Sequence, residues 1–265
     1  MSPSPKLWHP LAFLLCHLLA AVLFSSWLYP PTRVYWDALD QQVFFSLNGM
    51  LAWGEPWPLI WAWANNRAMD IVFGVLMILF YLHLIFSGQQ RQIMERMIGF
   101  ALMCCIILIS AEGLLEYLQG LLNFSRQSPT LVLEPAYRLS ELAPLVKAKD
   151  ASGNSFPGDH GTVVFIWLAF VWLYAGWGHR WAALLLALLI LLPRLVGGGH
   201  WLSDNLVGSG TLVLLYMAWF VATPFAYLVR SIGEAVLGAI LPRRWQPTLV
   251  DPGRNRPKQK THAET

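Results

Sequence analysis

Apolar runs long enough to cross a bilayer alternate with short polar connections along most of the chain. Residues 11–29 form the first run, long enough as a helix to span about 30 Å of hydrocarbon. A secretory signal is the rival reading. The run is long for a signal core, and Ser25-Ser26-Trp27-Leu28-Tyr29-Pro30-Pro31 follows it instead of a small-x-small cleavage site, which favours an uncleaved first span. Residues 69–87, 98–122, 160–178, 181–198 and 204–222 predict five more spans. The expected fold is therefore all-α, a polytopic membrane protein of six transmembrane helices. Residues 30–68, between the first two spans, predict an interfacial helical segment. Trp53, Trp57 and Trp61 recur every four residues and would share one helical face at headgroup depth. They read either as a plain aromatic belt or as the wall of a lipid-substrate entrance. In the third run Glu112 and Glu116 share a face, in a structural or a catalytic role.

The longest polar connection covers residues 123–159. The fourth and fifth spans are predicted to be joined only by Gly178-His179-Arg180. Residues 225–241 are amphipathic. The domain reading is one membrane domain over residues 1–241 and a basic, Pro-rich cytoplasmic tail over 242–265, expected to be disordered. No internal repeat of fixed period is present.

Composition sharpens this picture. Of 265 residues 56% are hydrophobic and only 12% charged, against about 25% charged in a soluble domain. The net charge of +3 is modest, and no basic stripe accompanies a binding motif, so a nucleic-acid partner is excluded. Nothing points to an obligate protein partner. Cys16, Cys104 and Cys105 all lie in apolar runs and read as small buried hydrophobes, not a disulfide framework. With both ends inside, eleven of the eighteen Lys and Arg residues fall on the inner side and seven on the outer, in agreement with the positive-inside rule.

On that topology three polar clusters reach the outer face: the loop around Arg126, the stretch Pro157-Gly158-Asp159-His160-Gly161, and Arg194 with His200 and Asp204. Ionisable groups at membrane depth are costly, so their convergence marks a site. His200 and Asp204 are four apart, one turn on one helical face, where a carboxylate fixes an imidazole tautomer and leaves the other nitrogen free to attack. Arg194 precedes Gly197-Gly198-Gly199 and suits bidentate phosphate contact. Gly158 and Gly161 let the helix start around His160 direct N–H groups at an anion. His160 itself can protonate a leaving oxygen. This set suits phosphoryl transfer through a phosphohistidine, without metal or cofactor. The rivals are a metal site of Asp159, His160, His200 and Asp204, disfavoured by the nearby arginines, and a structural polar cluster in a transporter or scaffold.

At these residues the chain resembles the type 2 phosphatidic acid phosphatase superfamily, whose signature is K-x6-R-P, P-S-G-H and S-R-x5-H-x3-D. Arg194-x5-His200-x3-Asp204 matches the third element, with Pro193 in place of Ser. Pro157-Gly158-Asp159-His160 matches the ends of the second, and Gln119-x6-Arg126 keeps the spacing of the first. The stretches Asn65-Asn66-Arg67-Ala68, Arg126-x-Ser128-Pro129-Thr130-Leu131, Lys149-Asp150-Ala151-Ser152 and Gly199-His200-Trp201 resemble the branch of bacterial lipid A 1-diphosphate synthases. The resemblance implies a metal-independent phosphotransferase of the bacterial inner membrane with a periplasmic site, moving the distal phosphate of undecaprenyl diphosphate to the 1-phosphate of lipid A. A hydrolase of the same superfamily, acting on undecaprenyl diphosphate or phosphatidylglycerol phosphate, is the alternative. Carried over by position, His200 is the nucleophile, Asp204 its orienter and His160 the acid and then the base. Arg126 and Arg194, with Gly158, Lys149, Asp159 and Gln119, line the phosphate site. Gln119 stands at the family's Lys position. The Ser of P-S-G-H is missing here, which removes a hydroxyl donor, and Asp159 puts a carboxylate in that stretch, which either repels a dianion or orients Arg126 or Lys149.

Overall fold

The computed structural model describes residues 8–88, 90–110 and 125–240, with Tyr117 and Gly120 as isolated positions. Among the described residues no strand forms; one isolated antiparallel bridge joins Asn66 and Ala148. Glu112, Glu116, Gln119 and the expected tail of residues 242–265 lie outside the described residues.

Helix α1 (Pro10–Leu28) starts on a proline and ends at Tyr29, whose backbone is extended, because the following Pro30 disfavours a helical residue before it. Pro30 then opens α2 (Pro30–Asn48), since proline suits a first helical turn. The region expected as an interfacial segment is thus three pieces: α2, a 3₁₀ turn (Gly49–Trp53) and α3 (Trp57–Ala64). Trp53 and Trp57 do not share a helix, contrary to the four-residue spacing, because Gly54 at φ +86 and Pro56 break the chain between them. Asn48 ends α2 by donating to the carbonyls of Tyr137 and Val196, 2.9 Å each, which pins α2 to a loop and a helix far along the chain.

Helix α4 (Arg67–Phe86) begins at Asn66, whose side chain accepts from the Ala68 N–H at 2.8 Å, a helix cap of the usual kind. Helix α5 covers Gln90–Ile109. The polar loop that follows is tied down rather than loose: Ser128 N donates to Ser152 O and Ser152 N to Ser128 Oγ, both 2.9 Å. It carries the short α6 (Leu139–Leu142).

Helix α7 (Asp159–Tyr174) runs through the middle of the molecule. Its Trp167, Phe170 and Val171 are buried against Met77 and Tyr81 of α4 and Ile106 of α5. Helix α8 (Trp177–Val196) follows after only Ala175 and Gly176, so Gly178, His179 and Arg180 form its first turn and not the expected connection. Gly197 and Gly198 stop it, Gly198 at φ +66. The last long helix opens as a π-turn (Asp204–Ser209), tightens to α9 (Gly210–Tyr216) and widens again (Met217–Val221). Helix α10 (Pro224–Ile240) closes the described chain.

Among the described residues, five helices are long and apolar enough to cross a membrane: Pro10–Leu28, Arg67–Phe86, Gln92–Ile109, Trp177–Val196 and Asp204–Val221. Helix α7, sixteen residues long, falls short of that length. Leucines of α1 such as Leu11, Leu14 and Leu18 point away from the protein, as side chains do where lipid is the solvent. Cys105 is also exposed rather than buried, and all three cysteines are free.

Candidate active site

The starts of α4 and α7, the end of α8 and the start of the last helix meet at one end of the bundle, with α2 and the tied-down loop beside them. Glycine makes the closest approach possible. A Cβ on Gly161 would stand 2.2 Å from Asn205 Oδ1, and one on Gly158 2.4 Å from the same atom. Gly158 N also donates to Asp204 O at 3.0 Å. Gly158, expected at the phosphate, is thus required by the contact between α7 and the last helix.

His200 is buried, just ahead of that helix. Its Nδ1 lies 2.9 Å from Ser155 O. A carbonyl only accepts, so Nδ1 carries a hydrogen, and Nε2 has a lone pair only when the ring is neutral. Nε2 is buried without a hydrogen-bond partner among the described residues, facing Asp159 Oδ1 at 3.0 Å. Burial pulls the imidazole pKa down, but the carboxylates of Asp159 and Asp204 outweigh it and push it up to about 9. The expected geometry with Asp204 needs correction. His200 is outside the helix, so the pair does not share a helical face. Asp204 Oδ2 accepts from the Trp201 N–H at 2.8 Å and stands 3.6 Å from His200 Nδ1, leaving the direct hydrogen bond to Ser155.

His160 lies in the first turn of α7 and meets three groups. Its Nδ1 is 2.7 Å from Asp159 Oδ1, and its Nε2 is 2.8 Å from Arg194 Nη2 and 3.3 Å from Asp70 Oδ1. Asp159 therefore bridges the two imidazoles, and its other oxygen is 3.3 Å from Lys149 Nζ. Of the roles open to it, pairing with Lys149 is the one the geometry displays; Arg126 is not its partner.

The two arginines are both held by protein carboxylates. Arg194, only 3% exposed, donates to Asn65 Oδ1, to Asn65 O at 3.3 Å and to Asp70 Oδ1. Arg126 donates to Ser203 Oγ and Asp204 Oδ1 through Nη1 and to Asp40 Oδ2 through Nη2, each at 2.8 Å. Its guanidinium also lies over the Trp201 ring at 4.5 Å. Arg126 was expected at the phosphate; its donors instead brace Asp204 and Ser203.

Asp40, Asn65 and Asp70 were not singled out from the sequence as site residues. Asp40 sits on the polar side of an amphipathic helix, where solvent is the default, and only the fold buries it, at 1% exposure. Asn65 and Asp70 flank a helix start, where short polar side chains are common as caps. No local signal marks any of the three as partners of distant arginines.

One ligand atom from each of Asp159, His160 and His200 falls within 4.8 Å of the others. Asp204, the fourth member of the rival metal set, does not join them. Arg194 Nη2 at 2.8 Å from His160 puts a fixed positive charge beside the cluster, which disfavours a cation and favours an anion. The arrangement offers a buried imidazole whose Nε2 can attack once the ring is neutral, a second imidazole beside it with a carboxylate and a guanidinium at one nitrogen, and cations close by.

Residues 122–230 match the profile of the PAP2 superfamily. The chain is also 33% identical over 216 residues to the lipid A 1-diphosphate synthase of Escherichia coli (strain K12), an overlap covering 80% of this chain and 87% of that protein. No solved structure matches the chain.

Proposed function

The chain belongs to the PAP2 superfamily, and from that premise we propose that it is a six-span phosphotransferase of the bacterial inner membrane with its site on the periplasmic face. The donor is undecaprenyl diphosphate and the acceptor the 1-phosphate of lipid A; the products are undecaprenyl phosphate and lipid A 1-diphosphate. Residues 1–241 form the membrane domain and 242–265 a cytoplasmic tail. The observation that carries this reading is the buried Nε2 of His200, 3.0 Å from Asp159 Oδ1 and facing His160 across that carboxylate. The name of the E. coli relative supports the acceptor.

In this scheme the distal phosphate enters where the Asp159 carboxylate now stands, and that side chain turns toward Lys149. His200 Nε2 attacks phosphorus. The P–N bond forms, the P–O bond to undecaprenyl phosphate breaks, and His160 gives its proton to the leaving oxygen. The lipid A 1-phosphate oxygen then attacks the phosphohistidine while His160 takes a proton back, and His200 is released. Arg194 and Lys149 stabilise charge on the equatorial oxygens, where most of the effect of such sites arises. Arg126 holds Asp204, and Gln119 completes the phosphate site. No step uses a metal.

The test is reconstitution with undecaprenyl diphosphate labelled on its distal phosphate, with and without lipid A, in excess chelator. Label should pass to lipid A with little free phosphate, and His200→Ala should lose all transfer while folding normally. Free phosphate released equally with or without lipid A would make the protein a hydrolase. Loss of activity in chelator, restored by one divalent ion, would overturn the metal-free scheme.

A further inference from the structure

The matched family segment begins at residue 122, yet each arginine of the site is seated by a carboxylate from before it: Asp40 from α2 for Arg126, and Asp70 from α4 for Arg194. Asp70 does more than neutralise an arginine, because it also reaches His160. At Nε2 of His160 the protein presents two partners of opposite kind. Arg194 Nη2, 2.8 Å away, can only donate and so satisfies an unprotonated Nε2. Asp70 Oδ1, 3.3 Å away, can only accept and so satisfies a protonated one. The other nitrogen, Nδ1, lies 2.7 Å from Asp159 Oδ1. A group that must first give a proton and later take one back needs both partners in place.

The backbone that delivers Asp70 is well anchored. Asn66 caps α4 while its amide donates to Lys147 O at 2.9 Å, and the Asn65 amide donates to Lys149 O at the same distance. The α4 start is thereby stitched to the loop carrying Lys149. A carboxylate in a first helical turn has a plainer explanation, its attraction to the helix dipole. That explanation requires neither the Arg194 contact nor the approach to His160.

We propose that Asp70 is a positioning residue for phosphoryl transfer: it holds the protonated form of His160 for donation and fixes Arg194 Nη2 beside the same nitrogen. The proposal rests on the phosphohistidine reading above.

The experiment uses the full chain in detergent with labelled undecaprenyl diphosphate, and compares Asp70→Asn, Asp70→Glu, His160→Ala and the double variant Asp70→Asn/His160→Ala by kcat, KM and thermal unfolding. Asp70→Asn should lower kcat by about 10²-fold, the lower end of what a positioned acid contributes, with KM changed far less. Asp70→Glu should recover part of the loss. Asp70→Asn should cost far less on the residual rate of His160→Ala than on the parent, because residues that act together are not additive. The proposal is overturned if Asp70→Asn keeps the parent kcat, or if its loss follows lowered thermal stability and adds in full to His160→Ala. A parent chain that does not turn over, or a His160→Ala chain as active as the parent, would overturn the phosphohistidine reading and this proposal with it.

Discussion

His200 shows how much of a residue's chemistry is set by its neighbours. Its Nδ1 is fixed by a backbone carbonyl, and its Nε2 faces a carboxylate that holds the ring protonated, with a pKa pushed up to about 9. Attack needs the neutral ring, and the neutral fraction grows as pH rises toward that value. We therefore expect kcat/KM, which reports the free enzyme, to climb between pH 7 and 9, and Asp159→Asn to move the climb to lower pH. A profile flat over that range in the parent would refute the assignment. The same shift adds stability that is fully present below the ordinary value of 6.5 and is lost as pH rises through about 9. The sequence made His160, His200 and Arg194 legible because motif spacing and helix-breaking glycines sit in local chain. It could not show that Ser155 O, and not Asp204, takes the His200 hydrogen. That depends on where a loop forty-five residues away comes to rest.

At the scale of elements, the site depends on two helices approaching closer than side chains usually allow. Gly161 faces Asn205 and Ser209 of the last helix with no room for a methyl group, whose carbon would stand 2.2 Å and 2.7 Å from their side-chain oxygens. Gly161→Ala should therefore destabilise the protein by about 1–3 kcal/mol, as overpacking does. Gly74, in the middle of α4, provides the contrast, because a methyl carbon there would meet nothing within 4 Å. Gly74→Ala should be neutral or stabilising by up to about 1 kcal/mol. Thermal unfolding in detergent reads both, and equal effects at the two positions would sink the argument. Periodicity located the apolar helices well, because a run of leucines means the same thing in any context. It failed between Trp53 and Trp57, where Gly54 and Pro56 override the four-residue repeat, and at the Ala175-Gly176 corner, where a polar triplet proved to be a helix start.

For the whole molecule, the expected six crossings rest on counting α7 as one of them. At sixteen residues it is well enclosed, with Ile166, Trp167 and Val171 at or below 1% exposure, so its neighbours cover much of it. Six crossings place Lys147 outside and the tail inside. In a chain freed of its three cysteines, a membrane-impermeant thiol reagent should label Lys147→Cys in intact cells and label Lys258→Cys only after the membrane is opened. Labelling of both in intact cells, or of Lys258→Cys alone, would reverse or break the topology.

The seating of Arg126 on Asp40 and of Arg194 on Asp70 bears on how sites of this kind can be transplanted. A chimera joining residues 122–230 of this chain to the first half of another protein would inherit both histidines yet leave the buried Arg194 without its carboxylate and Arg126 with Asp204 but not Asp40. The interchangeable unit is accordingly larger than the segment that sequence comparison outlines, and Asp40, Asn65 and Asp70 must travel with it.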